Sequence, residues 1–560
     1  MSILATLVRR ALLPLAALLL PALAACDDAP GAGVTLRLLA GSEVRVLDPL
    51  LQEFAASRKA TITVSHAGSL DIMNALRRGR DAETDAVWPA NGVWISLGDS
   101  QRVVRDEASI MRTPIVFGVR RSLARELGWD RAGVSVADLL DAADKGRLRI
   151  GMTSATQSNS GAQFLLGALH AMAGRDTALS LDDLAREDVQ DRTRRLLAAV
   201  QRGSGSSAWL GDFVVAHPGA VDAMVNYESV LIDVNRRLEQ ARAEPLCAVY
   251  PQDGLAVADH VLGFIDRPGA PGNDARRKLF ADLRDWLLQP AQQRRIHLAG
   301  WRTARIGIEM PDADRGVFRA EWCIDPARTI SPIRPPTSDV VEAALALYQG
   351  GGLRKPSETV LLYDVSGSMA GEGVRQARAA FRAILDQHEA RRSMLQAGPR
   401  DVLHVVPFNH AVVVATLPAP NGMTTPSQPG TGEPWQGDVR GNGAEAYATL
   451  MARVTSLEAD GGTDIYGAIQ RAWTLLTMAR AEGRLPAIVL MTDGRSDMAH
   501  ASAVLGRLGN PEAEGIPIFA ITFGNADPTQ LEELARRTGG RVFDGRRDLV
   551  RAFRDAKGYN

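Results

Sequence analysis

Residues 359–368, TVLLYDVSGS, decide how the second half of this chain is read. Thr359–Tyr363 carries no polar alternation, the pattern of a strand buried on both faces of a parallel sheet. It ends at Asp364. Ser366 and Ser368 follow within one tight turn, before a helix at Val374–Leu385. Two later stretches repeat the placement. DGGTD at 460–464 sets Thr463 ahead of a helix from Ile465, and TDG at 492–494 follows an apolar strand, Ala487–Met491. All three fall where strands end, so they share one sheet edge, outside which ligands of doubly wound sheets sit. Asp364, Ser366, Ser368, Thr463 and Asp493 offer only hard oxygen donors with few formal charges. That donor chemistry suits Mg²⁺, or Mn²⁺, with a coordination position left open. The same residue types also cap helices, which is their alternative role here.

The set resembles the metal-ion-dependent adhesion site of von Willebrand factor type A domains, with its D-x-S-x-S, Thr and Asp elements in order. The resemblance covers residues 357–560. It implies a Rossmann-like domain that binds a protein, with an Asp or Glu of the partner completing the metal's shell. Thr416–Gly443, rich in Pro, Gly, Thr and Ser, reads as a long surface loop of this domain.

The chain has 560 residues, enough for several domains. Its 46% hydrophobic and 23% charged residues are ordinary for a globular protein, and 64 basic against 65 acidic residues leave a net charge of −1. A nucleic-acid partner would call for a strongly basic balance, so none is expected. Nine scattered His and three Cys form no zinc pattern. No nucleophile elbow or Walker loop is present. A phosphotransfer aspartate would want a second acid two residues after Asp364, where Ser366 stands. The chain therefore reads as a binding protein, not an enzyme.

Arg9 and Arg10 precede an apolar run from Ala11 to Ala25, broken by Pro14 and Pro21. A bilayer span needs about 20 such residues, so this is an export signal and not a permanent anchor helix. Leu23-Ala24-Ala25-Cys26 resembles the lipobox of bacterial lipoproteins. That implies cleavage after residue 25, a lipid (palmitate among the acyl groups) on Cys26, and a tether over 26–33. Asp27 and Asp28 resemble a signal for retention at the periplasmic side of the inner membrane. In that oxidising compartment Cys247 and Cys323 either pair or stay as separate thiols.

Between tether and second domain, residues 34–327 alternate strands and helices, the pattern of a parallel α/β sheet. Strands are expected at Val34–Ala40, Ala60–His66, Ala86–Trp88, Thr113–Val119 and Leu148–Met152. A Pro- and Gly-punctuated linker with one helix, Ser338–Tyr348, fills 328–356. AGS at 40–42, AGSL at 67–70, ATQSNSGA at 155–162 and DAMVNYES at 222–229 make the region similar to type II periplasmic solute-binding proteins, the molybdate-type oxyanion binders among them. The resemblance implies two lobes around a ligand cleft. Ser42, Ser69 and Ser160 each precede an expected helix, whose N-terminus favours an anion. Asn91 and Tyr227 are further candidate ligand contacts. Serine is equally the ordinary cap of a helix start. Two roles follow: a lipoprotein that binds a small ligand and a protein partner, or the solute-binding component of a membrane transport system.

Overall fold

The structure, a computed structural model, describes residues 33–557 except 132, 305–313, 327–330, 393, 411–436, 478, 480–481, 494, 497–500, 509–515, 523, 525–527 and 547–548. The export signal, Cys26, the tether up to residue 32 and most of the 416–443 segment lie outside the described residues.

The amino-terminal half contains β1 (Thr35–Gly41), β2 (Thr61–Ala67), β3 (Ala86–Trp88), β4 (Val104–Arg120), β5 (Ile150–Thr153), β6 (Val200–Ser204), β7 (Ala223–Tyr227), β8 (Leu246–Val249), β9 (Val257–Ile265) and β10 (Arg302–Thr303). Their order is β2-β1-β3-β9-β4-β7-β5-β6, with β8 and β10 also on β4. Two lobes result. β1, β2 and β3 are parallel, with β9 antiparallel beside them. β5, β6 and β7 are parallel in the second lobe. β4 belongs to both lobes. Its Val104–Pro114 part pairs β9 and its Ile115–Val119 part pairs β7. The strand expected at Thr113–Val119 is thus only the second-lobe part of a longer one. Its earlier half carries Arg105, Asp106 and Glu107 and a bulge, with Asp106 at φ 55°, which hide the strand pattern. Leu36, Leu38, Trp88, Phe264 and Phe280 fill the core of lobe 1. Phe117, Ile150, Met152, Val225 and Phe164 fill that of lobe 2.

The linker helix, Ser338–Gln349, does more than connect. Val340, Val341, Ala344 and Leu345 are buried in the lobe 2 core cluster, and Thr156 of lobe 2 donates to Gln349 at 3.2 Å.

The carboxy-terminal half holds β11 (Ser357–Asp364), β12 (Val402–Phe408), β13 (Gly437–Arg440), β14 (Leu485–Thr492), β15 (Ile518–Thr522) and β16 (Arg541–Asp544), in the order β13-β12-β11-β14-β15-β16. All pairs are parallel except β12·β13. β13 corrects the reading of 416–443 as loop throughout: Gly437–Arg440 is an edge strand, short and Gly-led, so local composition masked it. Alternate residues of β11 feed opposite cores. Leu361 and Tyr363 pack with Phe381, Tyr447 and Phe553, and Val360 and Leu362 with Ile469, Trp473 and Leu534. Helices on both faces account for the unbroken apolar strands.

Candidate ligand cleft and metal site

The strand order reverses between β11 and β14, and the oxygen donors gather at that point. Asp364 ends β11 and is fully buried. Its Oδ1 accepts the Ser366 amide at 2.9 Å, and its Oδ2 accepts the hydroxyl of Thr492 at 2.5 Å. The Ser366 and Ser368 hydroxyls are 3.1 Å apart, and Ser368 donates to Asp493 Oδ1 at 2.7 Å. The loop bearing Thr463 is laid against this turn: Gly367 N donates to Gly461 O and Asp460 N to Val365 O, both at 2.8 Å. Gly461 sits at φ 78°, where a Cβ would strike the His410 ring, so only glycine lets the loop approach. Burial and the neighbouring Asp493 hold the Asp364 carboxyl above the usual range, and burial raises Asp493 likewise. Two desolvated carboxyls on one edge, joined by hydroxyls and with Ser368 exposed, fit a hard divalent cation approached from solvent. Asp364, Ser366, Ser368, Thr463 and Asp493 are the residues that would hold it. Thr492 has no local motif that marks it for this role; its neighbour Asp493 is the only signal.

In the other half, Ser42, Ser69, Ser160 and Tyr227 are all buried, and Asn91 is half-buried. None of the three serines caps a helix through its side chain. Their hydroxyls serve tertiary contacts instead. Ser206 of lobe 2 donates to Ser42 of lobe 1 at 3.0 Å. Ser69 accepts Ala90 N at 3.1 Å. Ser160 lies 2.7 Å from the Thr153 hydroxyl and 2.8 Å from that of Ser207. Tyr227 accepts from Asn159 at 3.2 Å, and burial pushes its phenol well up. Asn91 spends its side-chain oxygen on Val93 N at 3.0 Å, a local turn.

The lobes touch across the cleft. Trp94 Nε1 donates to Asn159 Oδ1 at 2.7 Å. A Cβ at Gly68 would come within 2.2 Å of the Gln157 carbonyl, so glycine is required for that approach. The starts of the helices Ser69–Leu76, Asn159–Ala173 and Ser207–Ala216 converge here. Sequence reasoning misses Ser206 and Ser207, although GSGSS at 203–207 has the same helix-start chemistry. It misses Glu43 as well. That residue is buried beside Ser42 and 3.1 Å from His260 Nε2, a contact spanning 217 residues that no local pattern announces.

Residues 36–302 match the family model of bacterial extracellular solute-binding protein, and residues 412–543 match that of the von Willebrand factor type A domain. The chain joins a bacterial extracellular solute-binding domain to a von Willebrand factor type A domain. The type A match contains Thr463 and Asp493, while Asp364, Ser366 and Ser368 precede it. One relative of the chain is the inter-alpha-trypsin inhibitor heavy chain H4 of Homo sapiens. It is 26% identical over 193 residues, 33% of this chain and 18% of that protein, so this chain spans under a fifth of its length. Solved structures similar to the solute-binding half include the sulfate-binding protein SubI from Mycobacterium tuberculosis H37Rv (17% identity, 48% of this chain and 87% of that one, TM-score 0.36). Another is iron-bound HitA from Pseudomonas aeruginosa (15%, 56% and 97%, TM-score 0.39). A third is AfuA from Actinobacillus pleuropneumoniae with fructose-6-phosphate (11%, 55% and 93%, TM-score 0.39).

Cys247 of β8 and Cys323 are joined by a disulfide, Cα atoms 5.0 Å apart. It ties the segment leaving the solute-binding domain to the second lobe.

Proposed function

We propose that this is a cell-envelope lipoprotein, anchored through Cys26 on the periplasmic side of the inner membrane, that couples small-ligand binding between its lobes to a metal-dependent protein contact. The observation that carries the coupling is where the type A domain docks. Its last helix, Leu549–Lys557, touches both lobes: Arg554 pairs with Asp71 of lobe 1, and the Arg554 carbonyl accepts the Gln157 amide of lobe 2. Beside it, Arg202 of lobe 2 donates to the Gly539 carbonyl and stacks 4.7 Å from Phe213 and 5.5 Å from Phe519 of β15. A change in lobe spacing would have to move this helix or break these bonds.

Three helix starts at the cleft support a ligand carrying an anionic or hydrogen-bond-accepting group. The buried Glu43 stands close by and limits how much negative charge the ligand brings. At the other end, the bound cation would supply a position for an Asp or Glu of the partner, and Asp364 with Asp493 would provide its countercharge. The role is binding and not catalysis. No helix among the described residues is long and apolar enough to cross a membrane; the proposed attachment is through Cys26.

The test is capture from envelope extracts with wild-type protein and Asp364→Ala, each with Mg²⁺ and with chelator. Partners that are retained by wild type in Mg²⁺ and lost in the other arms support the reading; identical partners in all arms overturn it. Cys26→Ser should move the protein from membrane to soluble fractions. Delivery of solute to a permease is the second reading, favoured by the family of residues 36–302. A permease among the captured partners, independent of Asp364, would select it.

A further inference from the structure

A cavity of about 710 Å³ lies on the seam between lobe 2 and the type A domain, away from both the cleft and the metal site. Its size is in the range of small-molecule sites, roughly 300–1,000 Å³. Six cations line it, Arg194 and Arg195 from lobe 2 and Lys355, Arg400, Arg440 and Arg484 from the other side, against two carboxylates, Asp401 and Glu482.

Those two carboxylates are already engaged. Asp401 accepts both terminal nitrogens of Arg354 and the amides of Ser357 and Gly398 at 2.9 and 2.7 Å. Glu482 pairs with Arg484, which also meets Glu358 at 2.6 Å. Arg194 pairs with Asp191, and Arg195 with Asp144. A guanidinium has five N–H donors, so one or two such bonds leave others to spare. Arg194 and Arg400 both reach the Gly352 carbonyl, at 3.3 and 3.5 Å, so the turn at Gly352 holds a guanidinium from each domain. Among the described residues, neither Arg400 nor Arg440 has a carboxylate within ion-pair distance, and both are exposed. Arg400 and Arg440 therefore leave the recess with positive charge that an anion with several oxygens would offset. Guanidinium groups match such oxygens in pairs.

We propose that this seam is a binding site for a small multivalent oxyanion of the polyphosphate class, held by arginines of both domains and strengthening their docking. It is independent of the ligand between the lobes and of the metal.

Calorimetry of the full chain with tripolyphosphate, against chloride at matched ionic strength, tests it. Wild type should bind tripolyphosphate. Arg400→Ala combined with Arg440→Ala should weaken binding by at least about tenfold, the loss expected for charge-assisted bonds, and Arg440→Glu alone should do the same. Both side chains are exposed, so circular dichroism should be unchanged. Ser160→Ala, in the cleft, should leave the tripolyphosphate affinity as it is. No heat beyond chloride overturns the proposal, as does unchanged affinity in the double variant. If Ser160→Ala abolishes binding and the arginine variants keep it, the anion lies between the lobes and the seam site is wrong. Capture by anionic phospholipid vesicles with no heat from tripolyphosphate also defeats it, since the arginines would then serve a lipid surface.

Discussion

Arg554, in the last helix of the type A domain, forms a 2.5 Å ion pair with Asp71 on the first-lobe helix Ser69–Leu76, the helix that starts at the ligand cleft. Both side chains are under one-fifth exposed, so the pair is better shielded than a surface bridge, and removing one partner leaves the other uncompensated. Arg554→Ala should lower the melting temperature of the full chain and loosen the coupling of its transitions, because the domains would lose one of the contacts that dock them. A single unchanged transition in calorimetry would show that the pair carries no docking energy.

The neighbouring Asp555 gives the docking a pH dependence. Burial, with Asp71 close by, raises its carboxyl to about 7. The folded chain then holds this proton more tightly than the unfolded one, whose Asp titrates near 4. The stabilisation is complete below that ordinary range and is lost as pH rises through about 7. Every tenfold gain in proton affinity on folding corresponds to about 1.4 kcal/mol. Wild-type stability should therefore fall between about pH 4 and 7, and Asp555→Asn should flatten that slope. Parallel slopes for the two proteins would contradict the assignment.

Metal should stabilise the type A domain by binding the folded site alone, by about 2.7 kcal/mol when Mg²⁺ or Mn²⁺ stands at 100 times its Kd. Since Asp364 and Asp493 are held above the usual carboxylate range, protons compete with the ion, and the affinity should weaken on acidification. Asp364→Ala should lose the response and stay folded. Thermal melts with Mg²⁺ and with chelator decide it; equal melting of wild type in both would mean no site.

At the cleft, Ser160 and Ser69 should matter to ligand through the network they hold, not as caps. Ser160→Ala removes a hydroxyl shared with Thr153 and Ser207 and should weaken an anionic ligand by roughly 1–3 kcal/mol. Calorimetry over a panel of tetrahedral and carboxylate anions measures it. Undiminished affinity in both Ser160→Ala and Ser69→Ala would remove these residues from the site.

The disulfide closes a long loop, since Cys247 and Cys323 are 76 residues apart. Replacing both by Ala should cost roughly 2–5 kcal/mol. Denaturant unfolding of the double variant gives the value, and the loss should be confined to the solute-binding domain. A variant as stable as wild type would mean that the bridge does not constrain the chain.

The doubly wound type A fold and the place of its oxygen donors were legible because their signals are local. A parallel strand covered on both faces must be apolar throughout, so TVLLY and AIVLM announce themselves, with Asp364 one residue and Asp493 two residues beyond them. The two-lobed half was legible in its serine-bearing turns, yet the serines' role was not. Ser42, Ser69 and Ser160 look like caps when read along the chain, and only the fold brings Ser206 to Ser42 and Ser207 to Ser160. Glu43 with His260, Thr492 with Asp364, and Asp71 with Arg554 likewise join distant positions. What the amino-acid sequence determined by itself is what nearest neighbours enforce: which segments are strands, where they stop, and which residues stand at the stops. What the tertiary structure alone decided is which of those stops face one another and how the two domains dock. A side chain's periodicity reports the face it buries and carries no record of the residue it will meet there.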